Sequence, residues 1–160
     1  MLGSPSEYAN IEQELVDLAG RLLAELAPNA ASLEVRRAGP NGEGVVVVLK
    51  PRNPDSAAVV LHAENGCRAI DFSFGEYGPT WELPVESDNP DADKQQALQE
   101  IREMCRAVIA GNCKHERGFL SVTGSIQIGG RSSRITDLLV LRPVPPLHGA
   151  RKYAPYVSGD

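Results

Sequence analysis

Gly44-Val45-Val46-Val47-Val48-Leu49-Lys50, then Pro51-Arg52-Asn53-Pro54-Asp55, then Ala57-Ala58-Val59-Val60-Leu61-His62-Ala63, is the stretch on which the fold turns. Val45 to Leu49 is continuously apolar, which is the pattern of a central, covered strand. Pro and Asn in the intervening cluster favour a turn, and a turn this short can only return the chain alongside itself, so the two runs predict an antiparallel pair. Working outward, Ser32 to Arg37 precedes this pair across Gly39-Pro40-Asn41-Gly42, and Arg68 to Phe74 follows it. In the latter, Ile70, Phe72 and Phe74 alternate with Asp71 and Ser73, so one face is wet. Thr80 to Leu83 adds a short edge strand, completing a meander of four or five strands.

Helices are written on either side of the meander. Ser4 is a candidate N-cap with Pro5 at the first helical position and Glu7 three residues after the cap. Ile11, Leu15, Leu18, Leu22 and Leu26 recur on one face, and Pro28-Asn29 ends the run after Ala27. A second helix begins after Asn89-Pro90, with Asp91 and Asp93 suited to the positive end of the helix dipole. Leu98, Ile101, Cys105 and Val108 make its apolar stripe, and Gly111-Asn112 closes it.

Two more strands are expected, Phe119 to Ile128 and Ile135 to Leu141, joined by a five-residue loop, Gly129-Gly130-Arg131-Ser132-Ser133. The order helix, four or five strands, helix, two strands predicts an α+β domain: a mostly antiparallel sheet of five to seven strands flanked by two amphipathic helices. Residues 1–142 are expected to form this single domain. Residues 143–160, rich in Pro and Gly, read as an extended tail whose Tyr153 and Tyr156 can pack onto the body.

The chain has 160 residues, 42% hydrophobic and 23% charged, a balance that fits one globular domain rather than a disordered or membrane class. Its net charge of −5 argues against nonspecific nucleic-acid binding, which relies on Lys and Arg at phosphates. No apolar run approaches a membrane span, and the first residues lack the basic start and apolar core of a signal peptide. Three cysteines, Cys67, Cys105 and Cys113, read as reduced thiols, and a cytoplasmic location follows as the expectation.

Charge is unevenly distributed. Ala69 to Asp93 carries Asp71, Glu76, Glu82, Glu86, Asp88, Asp91 and Asp93 with no Lys or Arg, whereas Lys114 to Lys152 holds seven Lys or Arg against Glu116 and Asp137. Within the acidic stretch, Glu76, Tyr77, Trp81, Glu82, Glu86 and Asp88 form the expected binding patch, with Tyr77 and Trp81 as anchors. The reading this supports is a non-enzymatic protein-binding module of inhibitor or immunity type that engages a basic protein partner. A homo-oligomer, in which the acidic patch meets the basic quarter of a neighbour, is the related arrangement.

Constellations for chemistry are incomplete. His62-Ala63-Glu64 resembles the His-x-Glu of the zinc deaminases, but the Pro-Cys-x-x-Cys that completes that family's metal site is missing, and Asn65-Gly66 follows as a hairpin turn. The alternative function is a small-ligand-binding or zinc-dependent enzyme using His62 and Glu64. His62, Cys67, Cys113 and His115 are zinc-type donors at an undiagnostic spacing. Glu76 and Glu82 flanking Trp81 have the residue types of a glycosidase pair, and the Ser-His-Asp types occur without a nucleophile elbow. No cofactor, catalytic residue or metal ligand is assigned from the sequence.

Overall fold

The computed structural model describes residues 5–39, 44–64, 69–76, 78–85, 90–118, 120–138 and 149–157. The fold is α+β, with two helices and two antiparallel sheets. Helix α1 (Pro5–Leu26) precedes β1 (Ala31–Ala38), β2 (Gly44–Pro51), β3 (Val59–Glu64), β4 (Ala69–Phe74) and β5 (Trp81–Pro84). These strands pair in chain order as a five-stranded meander, sheet A. Helix α2 (Pro90–Ile109) leads to β6 (Cys113–Arg117), β7 (Ser121–Ile128), β8 (Arg131–Leu138) and β9 (Gly149–Lys152), which form sheet B in the order β8-β7-β6-β9.

Parity along each strand decides what is buried. Val45, Val47 and Leu49 of β2, Val59, Leu61 and Ala63 of β3, Ile70, Phe72 and Phe74 of β4, and Trp81 and Leu83 of β5 are all buried. They meet Ile11, Leu15, Leu18 and Leu22 of α1 and Ile101, Cys105 and Val108 of α2 in one core. The stripes expected for both helices therefore face the sheet, except that Leu26 at the end of α1 is 38% exposed. Ion pairs pin α1 on both sides: Arg37 of β1 binds Glu12 at 2.6 Å and Lys94 of α2 binds Glu14 at 3.1 Å.

Helix α2 ends as its Gly111-Asn112 signal requires. Gly111 has φ 76°, its N–H donates to Val108 O at 2.9 Å, and Asn112 N–H donates to Ala107 O at 2.8 Å. This pair of bonds is a Schellman closure, which needs a left-handed residue that glycine supplies without a Cβ penalty. The expected N-cap, Ser4, lies outside the described residues.

Sheet B departs from the expected layout in three ways. Its strands separate from sheet A instead of extending it. Two strands, β6 and β9, were not foreseen, because Cys-Lys-His-Glu-Arg and Gly-Ala-Arg-Lys lack the β-branched, alternating pattern, and pairing with neighbours makes them strands. The expected loop after Ile128 is a two-residue turn: Gly129 and Gly130 have φ 53° and 79°, and Ile128 already pairs with Arg131. Two left-handed residues in succession give a turn whose twist matches that of the strands it joins.

Residues 149–157 are woven into the body. Strand β9 pairs with β6, and Ala154 N–H donates to Asp55 O and Tyr156 N–H to Ile109 O, both at 2.9 Å. Tyr156 is buried and its hydroxyl donates to Ala57 O at 2.8 Å and lies 3.2 Å from Leu49 O. One short segment thus ties β6, the end of α2 and the β2–β3 connection together.

Candidate functional site

The outward face of sheet A holds what the core leaves over. Register places Arg36, Val46, His62, Asp71 and Glu82 in one lateral row across all five strands, and Glu34, Val48, Val60 and Ser73 in the row beside it. Val46, Val48 and Val60 keep intermediate exposure, although the unbroken apolar run of β2 predicts burial on both faces. Three neighbouring aliphatic side chains therefore remain in reach of solvent at the middle of the sheet. Arg36 and Glu34 pair with each other at 2.7 Å on the β1 side, while His62 Nδ1 and Asp71 Oδ2 lie 3.5 Å apart on the other. Glu82 is exposed beyond Asp71 on the edge strand.

The residues expected to form the acidic aromatic patch divide. Glu82 stands on this face and Glu76 is exposed just past β4. Trp81 points the opposite way, because adjacent strand residues alternate and Glu82 takes the outward position. It is only 9% exposed, stacks on Phe74 at 5.7 Å, meets Phe72 edge-on at 5.9 Å, and donates its Nε1–H to Ser133 Oγ at 3.1 Å. That side chain joins the two sheets and does not stand on the patch as an anchor. Tyr77, Glu86 and Asp88 lie outside the described residues.

The donors considered for metal chemistry do not converge. Among the described residues no group of three His, Cys, Asp or Glu side chains is placed to hold an ion. His62 lies on the outward face of sheet A and His115 in the core between the sheets, and Cys67 is outside the described residues. Burial pushes the Cys105 and Cys113 thiols up to about 12, so both stay protonated and unreactive near neutral pH. The side chain of Glu64 is likewise outside the description.

One polar cluster went unread in the sequence. His115 of β6 is 5% exposed, lies parallel to the Phe74 ring at 4.5 Å, and shares a hydrogen bond between Nδ1 and the Tyr153 hydroxyl at 2.9 Å. Its Nε2 has no hydrogen-bond partner among the described residues. Burial, with Arg117 and Arg151 nearby, lowers its pKa to about 4, so the ring is neutral at pH 7. Gly75 and Gly78 roof the cluster, since a Cβ at Gly78 would lie 2.7 Å from Nε2 and one at Gly75 would lie 2.3 Å from the Tyr153 oxygen. The roof closes the ring off from any substrate, and the cluster reads as a structural joint between β4, β6 and residues 149–157.

Neither protein-family models, curated proteins nor solved structures give a match to this chain. The functional reading therefore rests on the surfaces themselves. Among the described residues no helix is long and apolar enough to cross a membrane.

Proposed function

We propose that this protein is a non-enzymatic protein-binding module that uses the outward face of sheet A to engage a basic partner. The observation that carries the reading is the partly exposed Val46, Val48 and Val60 beside the carboxylates of Asp71 and Glu82. An apolar centre supplies buried area, and a charged margin supplies steering and register. A β-sheet face also presents these groups on a rigid frame, which lowers the entropy lost on docking. The valines take the anchoring role that the tryptophan's orientation denies it, and Glu76 adds a further negative charge near the end of β4. An inhibitor or immunity-type role, in which this face covers the basic site of a toxin or nuclease, is the finer form of the same proposal.

The test is affinity capture from the host extract with the immobilised chain, comparing the native sequence with Asp71→Lys/Glu82→Lys and with Val48→Asp. A partner of basic sequence should be retained by the native chain at low salt, and both variants should lose it while keeping native circular dichroism. Equal retention by all three chains would remove this face from consideration.

A further inference from the structure

The outward face of sheet B has the opposite character. Register aligns Lys152, Lys114, Ser125 and Arg134 in one row across β9, β6, β7 and β8. With neighbouring strands about 4.8 Å apart, this row spans about 14 Å. Lys114 and Arg134 flank Ser125 directly, and their charged heads converge on one carboxylate: Lys114 Nζ binds Glu116 Oε1 at 2.9 Å and Arg134 Nη2 binds Glu116 Oε2 at 3.2 Å. Lys114 first, and then Arg134, hold the Glu116 carboxyl below the usual range.

Between these two positions on the ladder lies an anomaly. Ser125 is 2% exposed and its Oγ is buried without a hydrogen-bond partner among the described residues. A buried hydroxyl left unpaired destabilises a fold, whereas alanine at the same place would carry no such cost. A hydroxyl whose ladder neighbours on both sides are cationic, with a third cation in the same row, carries the donor types of an oxyanion site. Glu116 occupies that site from within the chain, using one oxygen for each flanking cation.

We propose that Lys114, Ser125 and Arg134, assisted by Lys152, form a binding site for a phosphate-monoester dianion, with the Glu116 carboxylate as its intramolecular stand-in. A tetrahedral dianion matches the site better than a carboxylate. It offers one oxygen to each flanking cation as Glu116 does, and a further oxygen toward the Ser125 hydroxyl. Its second negative charge answers Lys152, which pairs with Lys114 across the ladder. The site depends on none of the residues of the sheet A face, so it stands or falls independently of the protein-binding proposal.

The test is calorimetric titration of the full chain with inorganic phosphate and with phenyl phosphate at pH 7.5, ionic strength being held constant with chloride. Dimethyl phosphate, a monoanionic diester, is the comparison ligand. Saturable binding of phosphate and phenyl phosphate is expected, with dimethyl phosphate roughly tenfold or more weaker for want of the second charge. Glu116→Gln should tighten phosphate binding by roughly tenfold, because it removes the competing carboxylate. Ser125→Ala, which deletes only an unpaired hydroxyl and so leaves the fold intact, should weaken it several-fold, and Lys114→Ala/Arg134→Ala should abolish it. Absence of saturation in both the native chain and Glu116→Gln would overturn the site. Binding that is indifferent to Ser125→Ala and Glu116→Gln would overturn it equally, leaving an adventitious ion only.

Discussion

Acidification should loosen this protein, and His115 accounts for a separable share of the loss. His115 has an ordinary pKa of 6.5 once unfolded and about 4 in the folded chain, where burial and the nearby Arg117 and Arg151 oppose its protonation. Between those values the unfolded chain binds more protons, so stability is complete above pH 6.5 and falls as the pH drops toward 4. At about 1.4 kcal/mol per unit, the shift amounts to about 3 kcal/mol in full, and to roughly 2.5 kcal/mol by pH 4.5. Such a loss is a large part of the stability of an ordinary domain. Carboxylates also titrate in this window, so the measurement is a difference. Urea unfolding, followed by fluorescence of the buried Trp81, is compared at pH 7.5, 6.5, 5.5 and 4.5 for the native chain and for His115→Phe/Tyr153→Phe. The double replacement removes both members of the hydrogen bond and so leaves no new orphan at the joint. The native chain should lose about 2.5 kcal/mol more than the variant across this range, which is the His115 contribution alone. Parallel losses, agreeing within about 0.5 kcal/mol, would refute the assignment of a neutral, buried imidazole.

Two further outcomes follow from the packing. Tyr156→Phe removes the hydroxyl that donates to Ala57 O and should destabilise the fold by about 1–3 kcal/mol in urea denaturation, leaving that carbonyl short of a donor. Gly78→Ala places a Cβ 2.3 Å from Phe74 O and 2.7 Å from His115 Nε2, and because one of those atoms is backbone the roof must shift. A loss of about 1–3 kcal/mol in the same assay is expected, and an unchanged midpoint would show that the roof yields freely.

What the sequence could show divides along a physical line. Elements whose signal is local were legible: the Gly111-Asn112 closure, the helical stripes headed by Ile11 and by the partly buried Leu98, and the meander through Val47, Leu61 and Phe72 all lie where periodicity and turn residues put them. Elements made by tertiary pairing were not. Cys113 to Arg117 is polar and short, and becomes a strand because β7 and β9 flank it. Arg131-Ser132-Ser133 has no apolar residue, and so an edge strand looked like loop. The orientation of Trp81 was within reach, since alternation with Glu82 already implies that both cannot face the same way. The clustering of Lys152, Lys114, Ser125 and Arg134 was beyond reach, because the basic quarter is visible as composition while the row exists only once the register is fixed.

The joint between His115 and Tyr153 also has a bearing on how the chain is made. Sheet A forms from contiguous sequence, each strand pairing with the one just before it, and can assemble as it leaves the ribosome. The partner that His115 needs is 38 residues further along. At roughly 5–20 residues per second, the imidazole waits roughly 2–8 s for Tyr153 to be synthesised. During that interval Phe74 lacks the edge-on contact that Tyr153 will supply. The last-made described segment is therefore the one that adds β9 to sheet B and ties it to Phe74 of sheet A, and chaperone demand should peak just before it emerges.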